Sequence, residues 1–390
     1  MDMIRLDKYC ESVRDGTHDT PKPTTEGKYL VTSKAINNDT IDYSSAYYIS
    51  EKDFNIVNKR SKVDKYDVLM TMIGSVGRLH LVDYEPNYAI KNIALFKIGD
   101  YYKAKWLYYY MSSNNVQNYL EAVANGTSQH FVGLGYLRKF KIEDINEDKK
   151  RIVDILTNYD NLIKINNKRI AILEQIAEEI YKEWFVRFKF PECKNYCFTN
   201  AKPYGWIYGN KSNMSIPSNW HFGRLDEIGK FVRGKNITST EMIDGEIPVV
   251  SAGIEPSGYH NEANVKGKSL TMSASGANAG YLKYNLNDIW AADCSYYQND
   301  ENIWFVYSSL KFIESAIKNL QVGSAQPHVY AKNINKLNII IPEEKYIKMY
   351  NDLVNPMFEE IRKLYEKNKI LVKQRGLLSP RLMSGKLEVK

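Results

Sequence analysis

The chain has 390 residues, of which 44% are hydrophobic. It is therefore long enough for two or three domains with their own cores, and it is too apolar to be disordered. Its 53 Lys and Arg against 46 Asp and Glu give a formal net charge of +7, a moderate excess that attracts polyanions when it is clustered on one face but that many proteins share.

The N-terminal segment and the cysteines indicate the compartment. Met1–Cys10 carries charged side chains throughout and has no apolar centre, so it is not a signal peptide. No uncharged apolar run approaches the about 20 residues that a membrane span needs. The cysteines are few and scattered, which favours a reducing compartment over a disulfide scaffold: Cys10, Cys193, Cys197 and Cys294. We expect a cytoplasmic protein without membrane contact.

The first half of the chain begins with a Gly-, Thr- and Asn-rich region of β character. An apolar, helix-like stretch follows at Trp106–Val123, and then the turn Gly126-Thr127-Ser128-Gln129-His130. A short strand-like segment, Lys139–Ile142, precedes a long helical segment. The second half has the same order of segments, which indicates two copies of one unit.

In the second half, the β-like region starts at Arg224. A helix-like stretch at Ser308–Leu320 leads to Gly323-Ser324-Ala325-Gln326-Pro327, the strand-like Lys336–Ile339 and another long helical segment. The glycines of the two turns are 197 residues apart, and so are the glutamines. A period near half the chain predicts an internal two-fold repeat and excludes a solenoid.

The two long segments have the 3.5-residue period of a coiled-coil seam. Apolar residues recur from Ile152 to Trp184, and the same cadence returns after Pro356, where Arg375 interrupts it. Pro356 should start or kink the second helix because proline lacks an N–H. At about 1.5 Å per residue, a helix of about 35 residues reaches roughly 50 Å.

Such a seam has two interpretations. It is typical of a core-facing bundle helix, and it is also typical of a projecting antiparallel pair that holds two domains at a fixed separation. Each seam contains one polar residue, Asn166 or Asn368, and a single polar seam residue sets register in coiled coils. We therefore predict that these two asparagines lie near one another and set the register.

The segment between the halves is rich in Pro, Gly, Asn and Ser and has no apolar period, so it is predicted to be a linker. The resulting division places one domain over 1–145, a long helical region over 146–190, the linker over 191–218, a second domain over 219–342 and a second helical region over 343–390.

Several motifs resemble those of the specificity subunits of type I restriction–modification complexes. Val13-Arg14-Asp15-Gly16-Thr17-His18-Asp19-Thr20-Pro21 resembles the opening of a target recognition domain, and so does Phe231-Val232-Arg233-Gly234-Lys235. The Gly-(Thr/Ser)-x-Gln turns, Trp184-Phe185-Val186 and Leu377–Leu387 are similar to the family's other motifs. The resemblance spans essentially the whole chain in the correct order.

The resemblance implies an α+β fold, with two α/β target recognition domains in a pseudo-two-fold repeat separated by two long antiparallel coiled-coil helices. Each domain would read one half of a bipartite site in double-stranded DNA. The helices would act as spacer and as docking surface for two methyltransferase subunits, which restriction subunits join. No cofactor is expected in this chain, and S-adenosylmethionine, ATP and Mg are expected in the partner subunits.

No segment indicates a catalytic site. Asn355-Pro356-Met357-Phe358 lacks the second proline of an adenine methyltransferase loop, and Gly267-Lys268-Ser269 lacks the preceding glycine of a phosphate-binding loop. Cys193 and Cys197 have no nearby histidine to complete a zinc site. Asp15, His18 and Asp19 match turn chemistry better than a metal cluster. We therefore predict a non-catalytic subunit without a metal.

Candidate DNA-contacting residues are the Arg, Lys, Asn, Gln, Ser, Thr and His of the Gly- and Ser-rich loops, because such side chains pair with base edges and phosphates. In the first domain they are Thr17, His18, Thr32, Ser33, Lys34, Ser75, Arg78, Lys91, Asn92, Gln129 and His130. In the second they are Arg233, Lys235, Asn236, Ser273, Ser275, Gln326 and His328. Gln129 and Gln326 equally fit structural turns in which they bond the main chain.

Two other functions remain open on the sequence alone. One is a methyltransferase or nuclease with an unrecognised catalytic site, which tight binding of S-adenosylmethionine to the isolated chain would favour. A scaffold that uses the coiled coil only for protein partners would show no salt-dependent binding to duplex DNA.

Overall fold

The computed structural model describes residues 3–37, 40–124, 131–202, 214–322 and 327–389. The chain divides into two compact units. Unit 1 comprises residues 1–164 and 369–390, and unit 2 comprises residues 165–368. In the part of the chain described here, no helix is long and apolar enough to cross a membrane.

The N-terminal module, residues 3–143, is a mixed α/β structure within unit 1. Its elements are β1 Met3–Arg5, α1 Leu6–Tyr9, β2 Ser12–Asp15, β3 Lys28–Thr32, β4 Ile36–Asn37, β5 Thr40–Ile41, β6 Tyr47–Ile49, α2 Glu51–Ser61, β7 Val68–Thr71, β8 Leu79–Leu81, β9 Tyr88–Lys91, β10 Ile93–Lys97, α3 Tyr101–Met111, α4 Asn114–Val123, α5 Leu134–Lys139 and β11 Lys141–Glu143. The first long helix follows as α6, Glu147–Tyr181, and continues in a π-helical turn, Lys182–Val186.

The C-terminal module, residues 221–341, repeats this plan within unit 2. A hairpin of β12 Phe198–Ala201 and β13 Met214–Pro217 leads into it. The elements that follow are β14 His221–Arg224, β15 Val232–Arg233, β16 Ile247–Val250, β17 Gly258–His260, β18 Ser269–Ser273, β19 Leu282–Asn285, β20 Trp290–Ala291, β21 Cys294–Tyr297, α7 Ile303–Phe312, α8 Glu314–Lys318, α9 Ala331–Ile334 and β22 Asn338–Ile341. The second long helix is α10, Glu344–Met383.

The strand order confirms the internal repeat. An antiparallel sheet β2-β10-β7-β8 in the first module corresponds to β15-β21-β18-β19 in the second. The order β6-β3-β9, with β3 and β9 parallel, corresponds to β17-β16-β20, with β16 and β20 parallel. The pairs β1-β11 and β14-β22 also correspond. The predicted α+β class with two α/β modules is therefore confirmed.

The apolar runs of the central strands explain why these sheets form. Residues of β7 and β10 are buried on both faces, as expected for strands covered by helices or a second sheet. Side-chain hydrogen bonds cap the first turns of α2 and α3. Ser50 accepts from the Asp53 amide at the start of α2, and Asp100 accepts from the Lys103 amide at the start of α3, which satisfies amides that have no partner within the helix.

The predicted helix-like and strand-like segments are found with shifted borders. Trp106–Val123 is divided between α3 and α4, and Ser308–Leu320 between α7 and α8. The predicted strand at Lys139–Ile142 begins at Lys141 because Lys139 ends α5. The predicted strand at Lys336–Ile339 begins at Asn338.

Both long helices are confirmed, and of the two roles expected for Pro356, that of starting the second helix is excluded. Pro356 lies inside α10, which begins at Glu344. Packing explains why the helix continues through the proline, since Val354 and Phe358 are fully buried in the core of unit 2. Phe358 stacks on Trp304 with ring centroids 3.6 Å apart. The apolar burial of this turn outweighs the loss of one backbone hydrogen bond at proline.

The two seam asparagines are hydrogen-bonded, as predicted. In unit 2, Asn166 Nδ2 donates to Asn368 Oδ1 at 2.8 Å, and Asn368 Nδ2 donates to Asn167 Oδ1 at 2.8 Å. Further along α6, the Tyr350 hydroxyl donates to the Ala177 carbonyl at 2.9 Å. Residues with higher numbers in α6 thus contact residues with lower numbers in α10, so the two helices run antiparallel in this unit.

In unit 1, the same two helices pack on the N-terminal module. Ile152, Val153 and Leu156 of α6 and Leu382 of α10 belong to one buried core with residues of the module. Arg375, which interrupts the seam in the sequence, forms an ion pair with Asp160. The interpretation as core-facing helices therefore applies here together with the antiparallel pairing.

Substituting one seam asparagine should lower the free energy of unfolding more than substituting both. Asn368→Leu leaves the buried Asn166 amide without its acceptor, and we expect a loss of about 1–3 kcal/mol in the free energy of unfolding. Asn166→Leu should behave similarly. The double Leu variant should be near wild type, because both partners become apolar. Urea unfolding of the two single variants and the double variant measures these free energies. Asn161→Leu, on the exposed face of α6, is the control. Additive losses would show that the asparagines do not act as a pair.

The segment treated as a linker, residues 191–218, contains ordered structure. Its hairpin β12–β13 includes Ile216, which joins Phe190 and Trp220 in the main core of unit 2. Phe190 packs at 4.6 Å from Trp220 between ring centroids. The predicted domain borders stay predictions, and the long helices begin at Glu147 and Glu344, close to two of them.

Candidate nucleic-acid interface

The loop after β2 is held tightly against the neighbouring strands of the N-terminal module. Gly16 N donates to Ile93 O at 2.9 Å, and Thr17 N donates to Ile90 O at 3.0 Å. A Cβ at Gly16 would lie 2.4 Å from the Ile90 carbonyl oxygen, so only glycine allows this close approach. The motif that the sequence analysis singled out thus fixes where the following side chains emerge.

A polar cluster lies at this loop. Asp15 is buried, and its carboxylate oxygens lie 2.8 Å from His18 Nε2 and 2.5 Å from Arg60 Nη2. The other ring nitrogen of His18 is 2.9 Å from Asn92 Oδ1. Asn92 has a positive φ of 56°, a conformation that asparagine tolerates better than most residues. The carboxylate therefore orients a histidine and an arginine whose side chains are both mostly exposed.

Other predicted residues of the first domain surround this cluster. Ser33 donates to the Asn92 carbonyl at 3.2 Å, and Lys91 Nζ donates to the Thr20 hydroxyl. The Thr17 hydroxyl accepts from the Asp19 amide at 3.1 Å. The structure thus brings together Thr17, His18, Ser33, Lys91 and Asn92, with Thr32 and Lys34 as direct neighbours of Ser33.

Ser75 and Arg78 belong to a second loop, between β7 and β8. The Thr71 hydroxyl donates to the Ser75 carbonyl, so the Ser75 main chain shapes the loop. The Arg78 guanidinium lies 3.4 Å from the Ile36 carbonyl oxygen, one residue beyond the turn Ser33–Ala35. Gln129 and His130 lie outside the described residues.

The C-terminal module carries a corresponding loop after β15. Gly234 N donates to Cys294 O at 2.9 Å, and Lys235 N donates to Ala291 O at 2.9 Å. A Cβ at Gly234 would meet the Ala292 carbonyl oxygen at 2.5 Å. These are the same backbone contacts that Gly16 and Thr17 make, so residue 233 corresponds to Asp15 in the repeat.

Arg233, Ser275 and His328 are brought together around Asp293. Arg233 Nη2 is 2.5 Å from Asp293 Oδ1, and the Ser275 hydroxyl donates to Asp293 Oδ2. Ser275 also forms a β-bridge with His328, whose ring lies nearly parallel to that of Tyr330 at 6.0 Å. The arginine is about half exposed, whereas its carboxylate partner is less so.

The remaining candidates of the second domain differ in exposure. Lys235 is exposed, and its ammonium group lies 5.8 Å from the centre of the Trp290 ring, whose Nε1 donates to the Lys235 carbonyl. Asn236 is exposed. Ser273 is buried and donates to the Ala252 carbonyl at 2.9 Å, so its hydroxyl supports the loop from inside. Gln326 lies outside the described residues.

Sequence reasoning missed Arg60, Asp293 and Trp290. Arg60 lies at the end of α2, 45 residues beyond Asp15 in the chain, and no periodicity or motif connects the two positions. Asp293 carried one available signal, since it occupies the place in the repeat that Asn92 occupies in the first module. Aligning the two halves strand by strand would have nominated it.

The segments considered for catalysis have structural partners. Asn355 Oδ1 accepts from Lys268 Nζ at 2.9 Å and from Trp304 Nε1 at 3.0 Å. The Gly267 amide donates to the Asp288 carboxylate, an anion where a phosphate would need to lie. Burial raises the pKa of both Cys10 and Cys294 to about 12, so both thiols are protonated at neutral pH. Within the described residues, no group of three His, Cys, Asp or Glu could hold a metal ion.

The family model of the type I restriction modification DNA specificity domain matches residues 2–175 and 217–348. Together these segments cover more than half of the chain, once for each module. The chain belongs to this family. A specificity subunit of this family supplies DNA recognition to a restriction–modification system and is not itself catalytic.

Similar proteins are also type I restriction enzyme specificity subunits. It is 26% identical to the type I restriction enzyme MjaIX specificity subunit of Methanocaldococcus jannaschii, over 88% of this chain and 84% of the relative. It is 22% identical to the HindI specificity subunit of Haemophilus influenzae, over 84% and 88%. The crystal structure of a type I S subunit from M. genitalium has a similar fold, with a TM-score of 0.58, 17% identity and coverage of 98% of this chain and 95% of that one.

Proposed function

We propose that each module reads one half of a bipartite site in double-stranded DNA, and that the two readings together define the target of a type I restriction–modification complex. The chain acts on DNA in the cytoplasm. It contributes recognition, while partner subunits carry out methylation and cleavage.

The observation that carries this proposal is the repeated loop cluster. In both modules a glycine-anchored loop, fixed by the same backbone hydrogen bonds, lies beside a carboxylate that holds an exposed arginine. Further lysine and asparagine side chains lie next to each loop. Arginine, lysine and asparagine are the side chains that pair with guanine and adenine edges or with phosphates. Two such surfaces in one chain suit a site with two separate halves.

The long helices support a role in spacing and docking. They contain 35 and 40 residues, and helices of this size measure about 50–60 Å, which exceeds the about 34–36 Å between half-sites that are one DNA turn apart. In unit 2, Ile172, Ile176 and Trp184 line an apolar recess on α6. Exposed apolar surface of this kind marks sites of protein contact. We therefore assign α6 and α10 to spacing and to docking of two methyltransferase subunits.

The partner subunits would supply the chemistry. S-adenosylmethionine would bind to the methyltransferase subunits, and ATP and Mg would act in the restriction subunits that join them. Asn166 and Asn368 would set the register of the helix pair on which this assembly depends.

Methylation mapping tests the proposal. The chain is co-expressed with its methyltransferase subunits in a host without other modification systems, and the methylated bases of the host genome are mapped. We expect one bipartite motif with a fixed spacer. The purified complex should also bind a duplex carrying this motif with an affinity that falls steeply with salt, because phosphate contacts release counterions. A single continuous motif, or no motif, would contradict the proposal.

A further inference from the structure

Each module holds one exposed arginine against a carboxylate beside its glycine-anchored loop. Matching backbone bonds make residue 15 correspond to residue 233, and residue 92 to residue 293. In the first module the carboxylate belongs to Asp15, on the first strand of this pair. In the second it belongs to Asp293, beside the partner strand, and the arginine takes the position of Asp15. The second module therefore has its arginine where the first has its carboxylate, whereas the arginine of the first module, Arg60, comes from α2.

The geometry of the two pairs is alike. Arg60 Nη2 lies 2.5 Å from Asp15 Oδ1, and Arg233 Nη2 lies 2.5 Å from Asp293 Oδ1. In both cases the second carboxylate oxygen has its own partner, His18 in the first module and the Ser275 hydroxyl in the second. The carboxylates are therefore held in place by other contacts, while the arginine side chains remain 61% and 46% exposed.

An arginine held in this way can still recognise a base. The guanidinium group has five N–H donors in a rigid plane, and the carboxylate engages a single nitrogen of each arginine. The remaining donors can form the paired bonds to O6 and N7 that distinguish guanine in the major groove. Fixing the side chain beforehand reduces the entropy that is lost on binding.

Arg60 also lies next to Thr17, one of the candidate DNA-contacting residues. It lines a cleft of about 340 Å³ together with Thr17 and Thr20, which belong to the glycine-anchored loop. Asp19 and Asp53 line it too. Arg60 thus shares a cleft with the glycine-anchored loop, which contacts DNA in the proposed function.

We propose that Arg60 and Arg233 each read a guanine, one in each half-site, and that Asp15 and Asp293 are positioning residues that hold them for this contact. The inference rests on the proposed function and adds the base and the residues that determine it. It requires at least one G·C pair in each half of the target.

Two other arginine–aspartate pairs provide matched controls. Arg5 with Asp7 and Arg224 with Asp226 have similar N–O distances of 2.5 Å, and the arginines are 47% and 50% exposed. They lie in the strand pairs β1-β11 and β14-β22, apart from the loop clusters. If substitution of any exposed, carboxylate-bound arginine could change the methylated motif, substitution of Arg5 or Arg224 would change it as well.

The test uses the complex with its methyltransferase subunits and maps the methylated motif for each variant. Arg60→Ala and Arg233→Ala should each relax one G·C position, in opposite halves, with discrimination reduced about five- to 150-fold. Arg60→Lys and Arg233→Lys should relax the same positions, because lysine retains the charge but not the planar pair of donors. Asp293→Asn should relax the Arg233 position to a smaller extent. Arg5→Ala and Arg224→Ala should leave the motif unchanged.

The outcomes separate this inference from the proposed function. If the wild-type complex methylates no bipartite motif, the proposed function itself fails. If it does, but the Ala variants keep the full motif and lose only affinity, the arginines act as charges on phosphate and the guanine assignment is overturned. If the arginine variants relax the motif while Asp293→Asn does not, the positioning role is overturned. Thermal melting of each chain identifies loss of folding, and Asp293, which is 31% exposed, tests the positioning role without the buried Asp15.

Discussion

Replacing residues 1–145 with the matching segment of a family member that has another target should change one half of the methylated motif and leave the other half intact. The base contacts of each half should come from loops of one module, because the sheet β2-β10-β7-β8 and its loop cluster use only residues of that segment. Each mismatched base pair costs about 1–3 kcal/mol. Two changed positions would therefore shift the preference between the old and new half-sites about 30-fold or more.

The exchange point is suited to this experiment. Residue 145 lies between β11, which ends at Glu143, and α6, which begins at Glu147. The donor segment must keep an apolar surface for Ile152 and Leu156, which pack on the module. Methylation mapping reads the result, and the reciprocal exchange of residues 219–342 should change the other half-site. A change in both halves from one exchange would show that the modules do not read independently.

The long helices and the repeat could be predicted because their signals are local or periodic. The 3.5-residue spacing of apolar residues indicates a helix whatever its partner is. The proximity of Asn166 and Asn368 followed from the presence of one asparagine in each of the two seams. The repeated order of segments indicated two modules. The matching strand orders of the two modules reflect the same repeat in the sequence.

Other features depend on packing between residues that are far apart in the sequence. Pro356 lies inside a helix because Phe358 is buried against Trp304, a contact that no local pattern predicts. The hairpin β12–β13 occupies a segment whose composition resembles a linker. Among the residues of that segment that the structure describes, only Ile216 and Pro217 are buried, and two adjacent residues do not form a period.

The candidate site was predicted in part for the same reason. The glycine motifs around Gly16 and Gly234 marked both loops, because a close backbone approach requires glycine at a given point in the chain. The partners that orient the exposed side chains come from other elements. Arg60 comes from α2, and Asp293 comes from the connection between β20 and β21. Which exposed side chain is held, and by which carboxylate, is therefore decided by tertiary structure.

Lengthening both long helices should change the spacer of the target. Seven residues that continue the apolar seam are inserted between Lys164 and Ile165 and between Asn368 and Lys369. These points coincide with the borders of the two units, so the contacts within each unit are kept. One heptad adds about 10 Å of helix, which corresponds to about three base pairs of B-DNA. Three additional base pairs rotate one half-site relative to the other by roughly 100° about the DNA axis. One heptad rotates the apolar seam of a straight helix by only about 20°.

The variant with one added heptad in each helix should therefore lose methylation of the original site, because one module can no longer face its half-site. Three added heptads lengthen the pair by about 31 Å, close to the about 34–36 Å of one full DNA turn. This second variant should recover methylation at a motif whose spacer is about nine base pairs longer. Gel filtration must show that both variants still assemble with the methyltransferase subunits. If both methylate the original spacer, the distance between half-sites is set elsewhere, since the helices are then longer while the spacing is unchanged.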